Sequence, residues 1–459
     1  MKPTLAIARL TFWEGIRMGI VLVFVLALIG IVLAAPFVLS GDGTLTGRLQ
    51  NVLSWSLRAL SVLLSLATVF LACSTLANEI RDHTLDLVVT KPVSRFQILI
   101  GKWIGINLLN LLLLGLCGAS IYGFALLIKN QAAVNERDRL KIESVVWRAR
   151  TGASPKPPAE LQQRAEAFVD QKIREGAIVA EARAISVAEK LKELTNLWRT
   201  IDPGYPAPYL FEGLRPPSDD AIVQIRFKAR GIPIPLNDKL YVEWLFVDPK
   251  TGAPMQAGWT MTERRSGDIH QFLVRSRVIK DGRAVVVVRN PAERAGRTKI
   301  FFEGEDSLQL LYTVGSFEAN FVKTLLLIFL QLVFLSAAGL LFGTFVSFPI
   351  ACLCSFVTYG IGLLWPWWYE SIGGNMKIRT DDADPYGAWG PFLRFFIEPI
   401  MYVFPNFSGY NGASLLIEGR YIPWTLVGQS AAQMLLLGGL LLLIGWFLLQ
   451  QREIAEVTV

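Results

Sequence analysis

Only two histidines, His83 and His270, occur in the 459 residues, and they lie far apart. A histidine-built metal site is thereby excluded. The four cysteines, Cys73, Cys117, Cys352 and Cys354, all fall inside apolar runs, so none can staple a water-exposed domain. They read as small packing residues, and Cys352-Leu353-Cys354 stands too isolated to argue for copper. No G-x-x-x-x-G-K-[ST] phosphate loop is present, which removes ATP chemistry of the P-loop kind from this chain. A basic run interleaved with aromatics is also missing. The formal net charge of +7 arises from 45 Lys and Arg spread among 38 Asp and Glu, so nucleic acid is not an expected partner. The apolar segments lack paired catalytic groups: their polar residues are Ser65, Thr68, Asn107, Asn110 and their like, which pack helices. A membrane-embedded hydrolase is therefore the weakest reading. The chain is expected to be no enzyme and to hold no metal or cofactor of its own.

What is present is apolar surface. Hydrophobic residues make up 52% of the chain and mean hydropathy is +0.41, too apolar for an ordinary soluble enzyme and too charged for membrane throughout. About 20 apolar residues suffice to cross a bilayer. Runs of that order predict six spans, at Gly19 to Leu39, Leu57 to Ala77, Ile98 to Ile128, Asn320 to Val346, Ile350 to Trp368 and Leu426 to Leu449. Residues 1–18 mix Leu5, Ile7, Leu10, Phe12, Trp13 and Ile16 with Arg9, Glu14 and Arg17, and read as an amphipathic helix lying on the inner membrane face. The apolar run that follows is too long, and Ala34-Ala35-Pro36 too poor a cleavage site, for a signal peptide, so an uncleaved span is expected.

Between the second and third runs lies a compact polar elbow, residues 78–97. It mixes Glu79, Asp82 and Asp86 with Arg81, Lys91 and Arg95, and carries the apolar set Leu85, Leu87, Val88 and Val89 before Pro92. That pattern suits an amphipathic helix, ended by Pro92, that lies flat and meets another protein; a plain solvated loop joining two spans is the bland alternative. Lys2, Arg9 and Arg17 precede the first span, and Arg81, Lys91, Arg95 and Lys102 flank the elbow, which places both in the cytoplasm. Six crossings then return the C-terminal tail to the same side.

The large insertion, residues 129–319, is expected outside the cytoplasm. Its first part, 130–200, is charged over Val134 to Arg150 and Glu160 to Trp198 and reads as helical, with apolar residues at near-helical spacing from Leu161 to Trp198 that predict one or two amphipathic helices. Past a proline-rich linker, Pro203 to Pro217, short β-favouring runs alternate with turn signals over 219–315. They fall at Ile222 to Ala229, Leu240 to Val247, Ile269 to Arg275, Ala284 to Arg289, Lys299 to Phe302 and Leu308 to Val314, and predict an antiparallel β-sandwich. Asp219-Asp220 and Glu303-Gly304-Glu305-Asp306 lack the spacing of a cation loop and read as solvated turns. In the final third, 320–459, residues 389–407 are too few and too polar to span, and fit a re-entrant or interfacial segment. Glu398 there is a weak candidate for an outer gate or substrate contact, with Arg394 and Pro399 beside it; a salt bridge from Glu398 to Arg394, one turn earlier, is the simpler reading.

The fold class expected is thus an all-α membrane bundle of six spans with a large extracytoplasmic α+β insertion. The order Glu79, Thr84-Leu85, Pro92-Val93-Ser94-Arg95 and Gly101-Lys102 resembles the cytoplasmic elbow of ABC-2-type transporter permeases, closest to the subgroup associated with multicopper-enzyme maturation. The resemblance covers the spans, the elbow and the outer segment, about 270 residues, and leaves out the insertion. It implies a multi-pass protein of the bacterial plasma membrane with both termini cytoplasmic. It also implies a separate ABC ATPase subunit holding ATP and Mg, a second permease chain, identical or related, and an elbow that docks on the ATPase as a coupling helix. On that footing the coupling residues are Glu79, Arg81, Thr84, Leu85, Pro92 and Arg95, with Arg9 and Glu14 beside them. The rival expectation is a non-transporting scaffold that displays the β-domain to recruit an envelope protein.

Overall fold

The computed structural model describes residues 2–19, 22–24, 26–27, 29–30, 44–82, 93–131, 136–218, 220–235, 237–368 and 404–451. In chain order the longer helices are α1 (Lys2–Arg17), α2 (Leu45–Arg81), α3 (Arg95–Lys129), α4 (Ala159–Arg174), α5 (Arg183–Trp198), α6 (Phe317–Phe345), α7 (Phe348–Leu363) and α8 (Trp424–Gln451). The chain divides into two compact units, Met1–Ala149 with Ser316–Val459, and Arg150–Gly315.

In the first unit α2, α3, α6 and α8 are each long and apolar enough to cross a membrane, and α7 is a shorter apolar helix. The run from Gly19 to Leu39 lies largely outside the described residues. Helix α2 begins at Leu45, well before its apolar run. Thr44 caps it by accepting from the Gly47 amide at 3.0 Å, and the Asp138 carboxylate accepts from the Leu45 amide at 2.7 Å and from the Thr46 hydroxyl. Amides that a helix start leaves open are thus satisfied, one of them by a residue distant in sequence. At 37 residues α2 is about 55 Å long, against a hydrocarbon core of about 30 Å. Helix α3 opens on a capping box between Ser94 and Gln97.

Helix α6 packs against α2, α3, α7 and α8. Small residues let the backbones approach: a Cβ on Gly339 would stand 2.6 Å from Ala72 Cβ, and one on Gly438 of α8 3.6 Å from Ala337 Cβ. Polar residues in the apolar stretches bridge helices. Asn107 Nδ2 donates to Ser336 Oγ at 3.0 Å, Trp103 Nε1 to Val333 O at 3.2 Å, Thr68 Oγ1 to Asn110 Oδ1 at 3.0 Å and Gln331 Nε2 to Ser65 Oγ at 2.9 Å. Near the start of α6, Asn320 holds the chain ahead of α8, donating to Arg420 O at 2.6 Å and accepting from the Ile422 amide at 2.9 Å. Buried Lys323 donates to Ile422 O at 2.8 Å and stands 4.1 and 5.0 Å from the ring centres of Tyr421 and Trp424.

Helix α1 leans on α3 through glycines four residues apart. A Cβ on Gly101 would meet Ile7 Cβ and Thr4 O at 2.9 Å, and one on Gly105 would come within 2.5 Å of Ala8 O. Its Ala8 and Thr11 are buried, whereas Leu5, Leu10, Trp13 and Ile16 are exposed.

The second unit is β-rich. Its strands are β1 (Arg148–Ala153), β2 (Thr200–Ile201), β3 (Pro206–Glu212), β4 (Ile222–Ile232), β5 (Lys239–Val247), β6 (Thr260–Arg265), β7 (Ile269–Arg275), β8 (Arg283–Arg289), β9 (Lys299–Phe302) and β10 (Leu308–Ser316). One sheet runs β1-β10-β4-β9-β2 with β7 on β4, the other β3-β8-β5-β6. Alternate residues point inward, as in β5 and β8, and Tyr209, Phe211, Phe227, Trp244, Phe246 and Phe302 fill one core between the sheets. Trp244 Nε1 is satisfied there by Thr262 Oγ1 at 2.9 Å.

Two stretches differ from expectation. The proline-rich linker contains β3: it is an edge strand, where the missing amides of Pro206 and Pro208 cost no ladder bond on the open side. The helix expected over Val134 to Arg150 is described only as Glu136–Lys141, followed by a π-helical turn, Ile142–Val146, and then β1. Helices α4 and α5 form the predicted pair over Glu160 to Trp198, joined by an Arg183–Asp170 ion pair at 2.6 Å.

Because the Gly105 position has no room for a side chain, Gly105→Val is expected to cost about 1–3 kcal/mol. In detergent this reads as a lower melting temperature. Gly115→Ala, whose Cβ would meet nothing within 4 Å, should leave it unchanged or raised.

Candidate functional site at the base of the elbow

Four helices come together where the elbow joins the bundle, and their charged residues are not left to solvent. Lys102, the residue after the Gly101 contact with α1, is 3% exposed. Its Nζ donates to Glu79 Oε1 at 2.6 Å and reaches Thr75 O at 3.4 Å. Burying an ammonium costs several kcal/mol unless a counter-charge and hydrogen bonds answer it. Glu79, in the last turn of α2, supplies both, so the helices on either side of the elbow are cross-linked at its two ends.

Glu14 of α1 completes the cluster. Its side chain reaches the surface, yet crowding by the neighbouring protein withdraws water from it. That desolvation, reinforced by the Glu79 carboxylate and opposed by Lys102, pushes its carboxyl above the ordinary range. Two carboxylates thus lie within electrostatic reach of one ammonium.

Arg95, the first residue of α3, turns the other way. Its Nη1 donates to the carbonyls of Leu449 and, at 3.1 Å, Gln450. It thereby ties the start of α3 to carbonyls in the last described turn of α8. Phe96 stacks edge-on with Trp446 at 5.7 Å, and together with Val93, Ser94, Leu443 and Gln450 these residues line an open groove. Arg95, expected among the coupling residues, is engaged within the chain by these carbonyls.

The other expected residues divide. Arg81 pairs with its neighbour Asp82 at 2.9 Å on the open surface, an interaction worth little. Arg9 lies on the exposed side of α1. Thr84, Leu85 and Pro92 of the elbow, and Arg394, Glu398 and Pro399 of the later segment, lie outside the described residues. Sequence reasoning noted Lys102 as a flanking charge and in the elbow motif, but not as the partner of Glu79. Its signal was a cation already inside the apolar run, seven residues past the start of α3.

Elsewhere, Asp220 is held by Arg277 at 2.8 Å and Arg275 at 3.5 Å, and Glu303 by Arg230 at 3.1 Å. These acids serve as ion-pair partners on the β-rich unit's surface. Among the described residues no group of three or more His, Cys, Asp or Glu is placed to hold a metal. No family model, curated protein or solved structure matches the chain.

Lys102→Met strips Glu79 of its counter-charge and is expected to destabilise the protein by about 3 kcal/mol, most of it recovered in Lys102→Met/Glu79→Gln. Melting of the two variants in one detergent checks this. The Glu14 carboxyl is raised by folding, so its ionised form weighs against the folded state above that raised pKa and ceases to do so as pH falls through it. Glu14→Gln should therefore raise the melting temperature near pH 7, with the gain shrinking toward about pH 4.

Proposed function

We propose that this chain is the membrane-spanning permease subunit of an ABC transporter of the ABC-2 type. A separate ATPase carrying ATP and Mg would dock on the elbow and drive export or conformational work on the β-rich unit. The observation that most supports the reading is the Lys102–Glu79 cross-link with α1 wedged beside it. A push on residues 83–92 would reach α2 and α3 as one body, because both of their elbow-proximal ends are tied. Rigid-body motion is also the cheap response in lipid, where unpaired backbone groups cost several kcal/mol each.

On this reading the chain crosses a bacterial plasma membrane six times. Four crossings correspond to the membrane-length helices, and α7 and the run after α1 supply the others. Both termini are cytoplasmic, the β-rich unit is extracytoplasmic, and a second permease chain completes the path. The exposed apolar residues of α1, Leu5, Leu10, Trp13 and Ile16, suit contact with the inner bilayer surface. Glu79, Leu85 and Glu14 are the residues proposed to transmit the stroke, with Arg81, Thr84, Pro92 and Arg9 at the docking surface. Arg95 would link the same motion to α8.

The scaffold reading is favoured by one observation, the self-contained core of the β-rich unit, which needs no transport function to exist. A pulldown of the tagged chain from its native membranes, in mild detergent with mass spectrometry, separates the two. The permease reading predicts a stoichiometric P-loop ATPase that is lost in Leu85→Asp. Recovery of envelope proteins with no ATPase would overturn it.

A further inference from the structure

Away from the elbow, α2, α6, α7 and the segment 404–413 line a partly open cavity of about 220 Å³. Its walls are apolar where Leu57, Val62, Leu327 and Phe407 line it, but one side carries a polar ladder. Arg58 and Ser61 line it from α2 at a spacing of three residues, and Ser65 continues the same helical face four residues on. Over those positions the helix rises about 10 Å, from an exposed guanidinium to a fully buried hydroxyl.

Two groups of this ladder are unspent. Among the described residues no hydrogen bond or ion pair engages Arg58. Tyr359 of α7 is 6% exposed, and its hydroxyl lies among Ser61, Ser65 and Gln331 without a well-formed hydrogen bond to any of them. A buried hydroxyl left unmatched costs about 1–3 kcal/mol, a cost that a ligand oxygen in the cavity would remove. Gln331 Nε2 donates to Ser65 Oγ at 2.9 Å and ties α6 to α2 along this wall.

We infer that this cavity binds a small organic oxyanion, a carboxylate or phosphate ester with an apolar body, its charge at Arg58 and an oxygen accepting from the Tyr359 hydroxyl. Size sets the class. A dry cavity of about 150 Å³ holds benzene, so this one takes on the order of ten heavy atoms, too few for a whole phospholipid. The inference stands on the cavity alone and does not depend on the transport reading.

The test uses the full chain in nanodiscs and equilibrium binding of benzoate and phenyl phosphate, with benzyl alcohol and inorganic phosphate as controls. Saturable binding of at least one of the two aromatic anions is expected, with both controls at least ~10-fold weaker. Arg58→Gln should weaken the anion by ~10-fold or more and Tyr359→Phe by ~5-fold or more. Neither variant should lower the melting temperature, because Arg58 is exposed and the Tyr359 hydroxyl loses no native bond. Absence of saturable binding, affinities unchanged in both variants, or inorganic phosphate binding as tightly as phenyl phosphate would each overturn the assignment. So would a lipid that native mass spectrometry finds retained by the protein in the presence of saturating benzoate.

Discussion

A lysine almost wholly out of water must be answered by a charge, and in this protein the answer organises one pole of the helical unit. Lys102 is buried beside α1 and α2 with Glu79 at hydrogen-bond distance, and Glu79 can stand there only if α2 ends and α3 begins in one register. That register in turn fixes which face of α3 is free of side chains, and α1 occupies it through Gly101 and Gly105. Arg95 extends the set to the last turn of α8. Ionic, steric and capping constraints therefore converge on the same few turns. The other end of α6 is secured by a different device with the same logic: Asn320 and Lys323 grasp backbone carbonyls ahead of α8 that no helix satisfies. Between the poles, glycines, alanines and interhelical amide and hydroxyl bonds do the packing, which suits helices long and apolar enough to cross a membrane.

The β-rich unit obeys the opposite physics. Its aromatic core lies between two sheets whose strands alternate inward and outward, so water provides the driving force and surface ion pairs such as Glu303–Arg230 and Asp220–Arg277 add little. The composition, half apolar yet rich in charge, is the sum of a helical unit with four membrane-length apolar helices and a charged β-rich unit. In the proposed transporter the unit would be moved by the helices rather than do chemistry. The unspent hydroxyl and guanidinium lie instead in the helical unit, at Tyr359 and Arg58.

Much of this was readable from the sequence. Long apolar runs gave the membrane-length helices because their signal is additive over many residues. The runs at Leu240, Ala284, Lys299 and Leu308 gave strands whose starts fall within a residue of those observed, because period-two alternation and turn residues agree there. What escaped was set by tertiary partners. The first turns of α2 depend on Asp138, distant in sequence. Strand β3 hid behind prolines that only an edge position tolerates. Residues 142–153 leave the helical pattern for a π-turn and a strand that pairs with β10. At the candidate site, Glu79 and Lys102 were both noted, yet their pairing is a fact of helix register, which periodicity within each helix cannot supply. The bond from Arg95 to the carbonyls of Leu449 and Gln450 is likewise a tertiary contact that the sequence of α3 alone does not show.

The central claim is that the Lys102–Glu79 pair makes the elbow-proximal ends of α2 and α3 a single body. Spin labels at Arg81→Cys and Ile104→Cys, in a background with the four native cysteines replaced by alanine, report that distance directly. The account predicts one narrow distribution for the otherwise native protein and a broadened or shifted one in Lys102→Met. Distributions of equal position and width with and without Lys102 would contradict it.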